Sequence, residues 1–208
     1  LENGSTKKPT NKPMKRLSIY LFLILFTLPT PSQADDISDF EIEGMSIGDS
    51  LLDYFTEKEI KNGQYRMFKS KKYITTQLLG NFEMYDTAEA AFKNGDKDYK
   101  IVSLAGGIYF SENFNFCFKK RDEVVGEIKL LFDEGVVNTD EDVHAADKTG
   151  KSKFYRTSIA LSANSKYHEI QINCTNWSKK MEKEYTDNLS IVIQTDTYND
   201  FLHNEAYK

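Results

Sequence analysis

Alternating apolar and polar runs, interrupted by stretches at helical spacing, predict an α+β fold, a largely antiparallel sheet with helices packed on one face. Three observations carry the prediction. Ile170 and Ile172 alternate with Gln171 and Asn173, as a half-buried strand requires. Lys93-Asn94-Gly95-Asp96 stands between two strand-like runs and signals a hairpin turn. Phe116, Val124, Val125, Ile128, Leu131 and Phe132 recur at helical spacing.

Taken in order, the chain starts with polar residues, and Met14-Lys15-Arg16 then opens an apolar run from Leu17 to Leu28, broken by Ser18 and Thr27. A basic start, an apolar core of about a dozen residues and the small residues of Ser32-Gln33-Ala34 mark a secretory signal peptide. A bilayer span takes about 20 apolar residues, more than this run supplies. An uncleaved anchor is the competing reading, and Pro29, Pro31 and the Ser-Gln-Ala site favour cleavage after Ala34. Residues 1–13 read as an upstream extension, 14–34 as the signal peptide, and 35–208 as a single α+β domain, periplasmic or secreted.

Within that domain, Ser46 with Asp49 three residues on reads as an N-cap pair. Ile47, Leu51, Leu52, Tyr54 and Phe55 continue it as a helix, closed by Asn62-Gly63. Tyr73 to Leu79, Phe82 to Tyr85, Asp86 to Phe92 and Tyr99 to Leu104 read as strands of a meander. Gly106-Gly107 reads as a turn into Ile108-Tyr109-Phe110. A second helix follows Asn115 and ends at Gly135. Val137 to Lys153, rich in Asp, Glu, Lys and Thr, reads as a surface loop. Tyr155 to Leu161 and Tyr167 to Cys174 form a hairpin across Ala163-Asn164-Ser165-Lys166. Trp177 to Tyr185 reads as a connection, Leu189, Ile191 and Ile193 as a last strand, and Thr195-Asp196 as the cap of a final helix from Thr197 to Tyr207.

The full chain has 27 basic and 32 acidic residues. Residues 1–34 hold five of the basic ones (Lys7, Lys8, Lys12, Lys15, Arg16) and one acidic (Glu2), leaving 22 against 31, a net of −9. So acidic a domain has no general attraction for nucleic acid or anionic lipid. Its contact with a membrane is expected only through the signal segment before cleavage.

Cys117 and Cys174 are the only cysteines, and in an exported protein such a pair reads as a disulfide. Zinc needs more ligands than this spacing offers. No metal or cofactor is expected. The phosphate loop, the dinucleotide fingerprint, Gly-x-Ser-x-Gly and His-Glu-x-x-His are all missing. Ser46-Ile-Gly-Asp-Ser50 is similar to the Gly-Asp-Ser centre of secreted lipases and esterases, and Asp200-Phe-Leu-His203 has the Asp-x-x-His spacing. A hydrolase built from Ser50, Asp200 and His203 is therefore the alternative to a non-catalytic protein. The intervening family signals are missing, and Ser50 also suits a capped helix.

Asn138-Thr-Asp-Glu-Asp142 presents oxygens at calcium-like alternation, yet Val143 and Thr149 occupy the positions where an EF-hand loop has Gly and Glu. A solvated acidic loop accounts for the run. Asp140 and Asp142 are nonetheless candidate binding residues, as is Trp177, whose structural role would be a lid over the disulfide.

Phe40-Glu-Ile-Glu-Gly-Met-Ser-Ile-Gly-Asp-Ser-Leu-Leu-Asp-Tyr-Phe55, with Cys174-Thr-Asn-Trp-Ser178 and Phe201-Leu-His-Asn-Glu-Ala-Tyr207, resembles an uncharacterised family of small exported proteins from marine alphaproteobacteria. The resemblance implies a bacterial periplasm and brings no activity with it. The expected function is binding of a periplasmic protein or small molecule, by one face of the sheet or by the acidic segment near Asp140. An envelope-assembly or structural factor is a further alternative.

Overall fold

The first regular helix starts where the sequence supplies a complete cap. Thr56 accepts the Glu59 N–H while the Glu59 carboxylate accepts the Thr56 N–H at 2.8 Å. This capping box opens α1, Glu57–Asn62, and Ile60 is its buried residue. The expected helix start at Ser46 is corrected. Asp49 does accept the Ser46 N–H at 2.9 Å, but Gly48 has φ +93° and turns the chain away. Ser50 then bridges Lys100, and Leu51–Asp53 makes one 3-10 turn.

Eight strands follow: β1 (Gln64–Tyr65), β2 (Tyr73–Leu78), β3 (Thr87–Lys93), β4 (Ile101–Tyr109), β5 (Val136–Val143), β6 (Lys153–Ala160), β7 (Glu169–Asn176) and β8 (Asn188–Gln194). Helix α2, Asn115–Leu131, separates β4 from β5, and α3, Asp196–Asn204, follows β8. All neighbours are antiparallel and the order is β1-β2-β3-β4-β8-β7-β6-β5. Two four-stranded meanders thus meet at the β4–β8 seam. The computed structural model describes residue 37 and residues 40–65, 68–111, 113–131, 136–144, 147–160 and 169–208. These fall in one compact unit, Gln33–Lys208. The signal segment, the β6–β7 turn at 163–166, Phe132, Gly135 and His168 lie outside the described residues.

Two strand expectations are corrected. Phe82 to Tyr85 is irregular rather than a strand. Gly106 and Gly107 are not a turn but the interior of β4. A Cβ at Gly106 would run into the Tyr85 ring, and one at Gly107 would meet Thr87 Cγ2. Their job is to let neighbours lie close over the strand.

Period-two alternation sorts the strands into two faces. One face gathers Leu78, Ala90, Phe92, Ile101, Leu104, Ile172, Cys174, Leu189 and Ile193 into the main core, with Ile60 of α1 and Ile128 of α2 packed on it. The Cys117–Cys174 disulfide, Cα–Cα 6.0 Å, ties α2 to β7 on this side. On the opposite face a smaller cluster joins Tyr198 and Phe201 of α3 to Phe68, Tyr73, Ala91 and Val102. A bulge between Ala91 and Phe92 turns Val102 toward that helix. Mixed α and β structure around an antiparallel sheet is as expected, whereas α3 departs from the expectation of helices on one face. Its cluster accounts for the departure: the aromatic edges of Phe68, Tyr73 and Phe201 meet at centroid distances of 4.8–5.3 Å.

Candidate functional site

Helix α3 covers the second face over the first meander only. Over the second meander, the same face carries the polar half of each alternating strand, and no described helix lies on it. Backbone register lines these side chains up in rows across the strands. One row runs Asp140, Arg156, Asn173, Ser190, Gly107, Thr87. The next runs Asn138, Ser158, Gln171, Val192, Ala105, Glu89. Large polar groups therefore flank a floor of small residues at the β4–β8 seam.

Asn173 is the centre of the first row. It is 4 % exposed, its amide nitrogen reaches Ser190 Oγ at a long 3.4 Å, and its Oδ1 has no hydrogen-bond partner. An amide offers two donors and one two-lone-pair acceptor, so in either orientation part of its capacity is unused. Beside it, Arg156 gives Nη1 to Asp140 at 3.3 Å and lays its guanidinium over Phe154 at 5.2 Å, while its buried Nε has no partner. An unsatisfied buried polar group costs about 1–3 kcal/mol. Two neighbours of opposite sense, one acceptor and one donor, make this patch of the face unusual.

The acidic segment expected as a loop is instead the edge strand β5, a correction with a long-range cause. Its acids are matched from β6: Arg156 faces Asp140 on the polar side, and Lys153 bonds Glu141 at 2.8 Å on the core side. Charged side chains on an exposed edge also discourage strand-to-strand aggregation. Asp142 accepts the N–H of Val143 at 2.7 Å.

Trp177 stands at one end of this face and is 6 % exposed. It stacks on Tyr185 at 4.5 Å and meets His144 at 4.2 Å, and His144 in turn meets Phe154 at 5.9 Å. Its place is thus at the end of the polar face, and it does not belong to the core cluster that holds Cys174. Burial lowers the His144 pKa. Below this cluster Asp147 organises the β5–β6 connection. Its carboxylate accepts Thr149 N–H and Oγ1, Ser152 N–H and Oγ, and Ser178 Oγ, at 2.7–3.0 Å. The Ser152 and Thr149 bonds hold its carboxyl well below the usual carboxylate range.

Ser50 and Asp200 are each hydrogen-bonded to other groups. Ser50 Oγ donates to Asp98 O at 2.6 Å and accepts the Leu52 N–H, so its proton is not aimed at a base. Asp200 accepts from Asn204 at 2.9 Å, on the helix that packs against the far face. Among the described residues no three His, Cys, Asp or Glu side chains gather to hold a metal.

A surface depression of about 540 Å³ lies on the core side, lined in part by Glu57, Lys61, Asp96, Lys97 and Tyr99. Its main polar groups already satisfy one another: Glu57 takes Lys61 at 2.7 Å and Tyr99 Oη at 2.9 Å. It is a self-paired surface.

Sequence reasoning named Asp140, Asp142 and Trp177 as candidate binding residues without tying them to this face, and missed Arg156 and Asn173. The signal was present in the alternation: Asn173 sits between Ile172 and Cys174, and Arg156 between Tyr155 and Thr157. No described helix is long and apolar enough to cross a membrane. Comparison with protein-family models, curated proteins and solved structures finds no match.

Proposed function

We propose that this is an exported, non-catalytic binding protein of the periplasm, and that it binds its ligand or partner on the second, polar sheet face of the second meander. Kinship with the small exported proteins of marine alphaproteobacteria is part of the same reading. The observation that supports it most is the buried, unpartnered Asn173 Oδ1 beside the unpartnered Arg156 Nε. Such groups carry a cost in stability and call for an explanation, and a ligand that pairs with them would supply one. The disulfide suits an oxidising compartment.

A thermal-shift screen of the full chain against metabolites, saccharides, ions and peptides tests the reading, run beside Arg156→Gln and Asn173→Val. A ligand that binds the folded state raises the melting temperature of the parent. The proposal expects that rise to shrink in both variants. A ligand whose effect is the same in all three chains would place binding elsewhere and refute it.

A further inference from the structure

We propose that the outer edge of β5 pairs with the same edge of a second copy of this chain, joining two sheets into one about a two-fold axis. The proposal goes beyond the binding reading above and does not depend on it.

Backbone geometry argues first. β5 is the last strand of the sheet, and Asn138 to Val143 are all exposed. Just past it the His144 N–H reaches Ser152 O at 3.0 Å, continuing the register in which Val143 faces Lys153. Antiparallel pairs alternate between hydrogen-bonded and non-bonded. The even positions of β5 therefore bond β6, and Val137, Thr139 and Glu141 turn their N–H and C=O outward. Among the described residues nothing takes these groups. Val143 faces outward too, but the Asp142 carboxylate accepts its N–H at 2.7 Å. The edge left for a partner thus ends at Glu141.

Register argues second. Asp140, Glu141 and Asp142 fill the later half of the strand, and Val137, Asn138 and Thr139 precede them. In a two-fold pair centred on Thr139, Glu141 lies opposite Val137 of the second copy. Asp140 lies opposite Asn138 of the second copy, whose amide is a donor for the carboxylate. Two-fold symmetry makes each contact twice. The nearest like charges, the two Asp140 residues, become diagonal neighbours about 7–8 Å apart, and each keeps its own Arg156. Moving the centre to Asp140 sets these two acids face to face and calls on the Val143 N–H, which is taken. Moving it to Asn138 carries Glu141 past the start of β5 at Val136 and forfeits its bonds. The acids that discourage indiscriminate pairing therefore leave one register open.

Charge favours a second copy over a basic peptide. Arg156 and Lys153 already match Asp140 and Glu141 from β6, so a cationic strand gains little at this edge. Edge pairing of this length buries less than the about 1,200–2,000 Å² of a stable interface, and a weak dimer follows, with Kd on the order of 100 μM.

The test is sedimentation equilibrium of the full chain from about 10 μM to about 1 mM. A reversible monomer–dimer equilibrium is expected, strengthened by added salt because both copies are acidic. Thr139→Pro deletes an outward N–H at the centre of the pair and spares every bond to β6, and should weaken the dimer by at least about tenfold. Asn138→Lys sets an ammonium opposite Asp140 of the second copy and should tighten it by about threefold, and Asn138→Asp should loosen it. Urea unfolding shows whether Thr139→Pro still folds; if it does not, the Asn138 pair decides. A monomer at every concentration overturns the proposal. So does a dimer indifferent to the Asn138 substitutions. If the chain stays monomeric while hexalysine shifts the β5 amides in an NMR titration, the edge belongs to a basic strand and the proposal falls.

Discussion

The two meanders share one sheet and one core, yet their second faces differ. Over the first, Tyr73, Ala91 and Val102 meet Tyr198 and Phe201, and α3 removes them from water. Over the second, the equivalent positions are Arg156, Ser158, Gln171 and Asn173, with no described helix above them. Their clamps differ too. Aromatic packing holds α3 to the first half, whereas a covalent bond from Cys117 to Cys174 holds α2 to the second. The lesson is that burial alone does not sort structure from function here. Thr75 under α3 and Asn173 on the polar face of the second meander are 5 % and 4 % exposed. The distinction lies in whether a described element explains the burial: α3 lies over Thr75, and no described helix lies over Asn173.

The largest effects should come from breaking the clamps. Phe201→Ala removes a fully buried ring from the α3 cluster and should cost about 3–5 kcal/mol in urea denaturation. It should also expose the first half of the second face, read as added surface dye binding. Replacing both cysteines by serine opens a link of sequence separation 57 and should cost about 4 kcal/mol by the chain-entropy account. The same loss should appear on reduction of the parent chain, and it should leave the α3 cluster intact.

A subtler difference is acid sensitivity. Asp147 anchors the β5–β6 connection of the second half, and its folded pKa is depressed by its hydrogen bonds. Its contribution is therefore fully present above the unfolded value of about 4 and lost as pH falls below it. Asp147→Asn should be less stable than the parent near neutrality, and the gap should narrow as acid protonates the parent. A constant gap across the acid range would remove Asp147 from this account.

How much was legible follows from the range of each interaction. Strands β6, β7 and β8 announced themselves because burial of one face writes a period-two pattern into the local sequence. Thr195 was legible as a cap for the same reason: the partner of its side chain, the Tyr198 N–H, is three residues away. Strand β5 was not, since Asp140 and Glu141 are tolerated there only because Arg156 and Lys153 lie opposite. The Gly106-Gly107 pair looked like a turn because the Tyr85 ring that needs the space comes from another strand connection. Ser46 promised a helix that Gly48 and the Ser50–Lys100 bridge redirect. The polar face of the second meander was half legible: Asp140, Asp142 and Trp177 drew notice by type, whereas Asn173 and Arg156 stand out only through one atom each that lacks a partner.

That missing partnership is the claim to test most directly, and it has the smallest expected energy. Equilibrium urea denaturation of Asn173→Val compares a buried amide with an apolar group of similar size in a strand. If the amide's capacity is unused within the fold, the substitution should stabilise the chain by about 1 kcal/mol, with the slope of the transition unchanged. A loss of stability would contradict the account. It would mean that the fold itself uses the Asn173 amide, and the polar face of the second meander would then have no claim to being kept for a ligand.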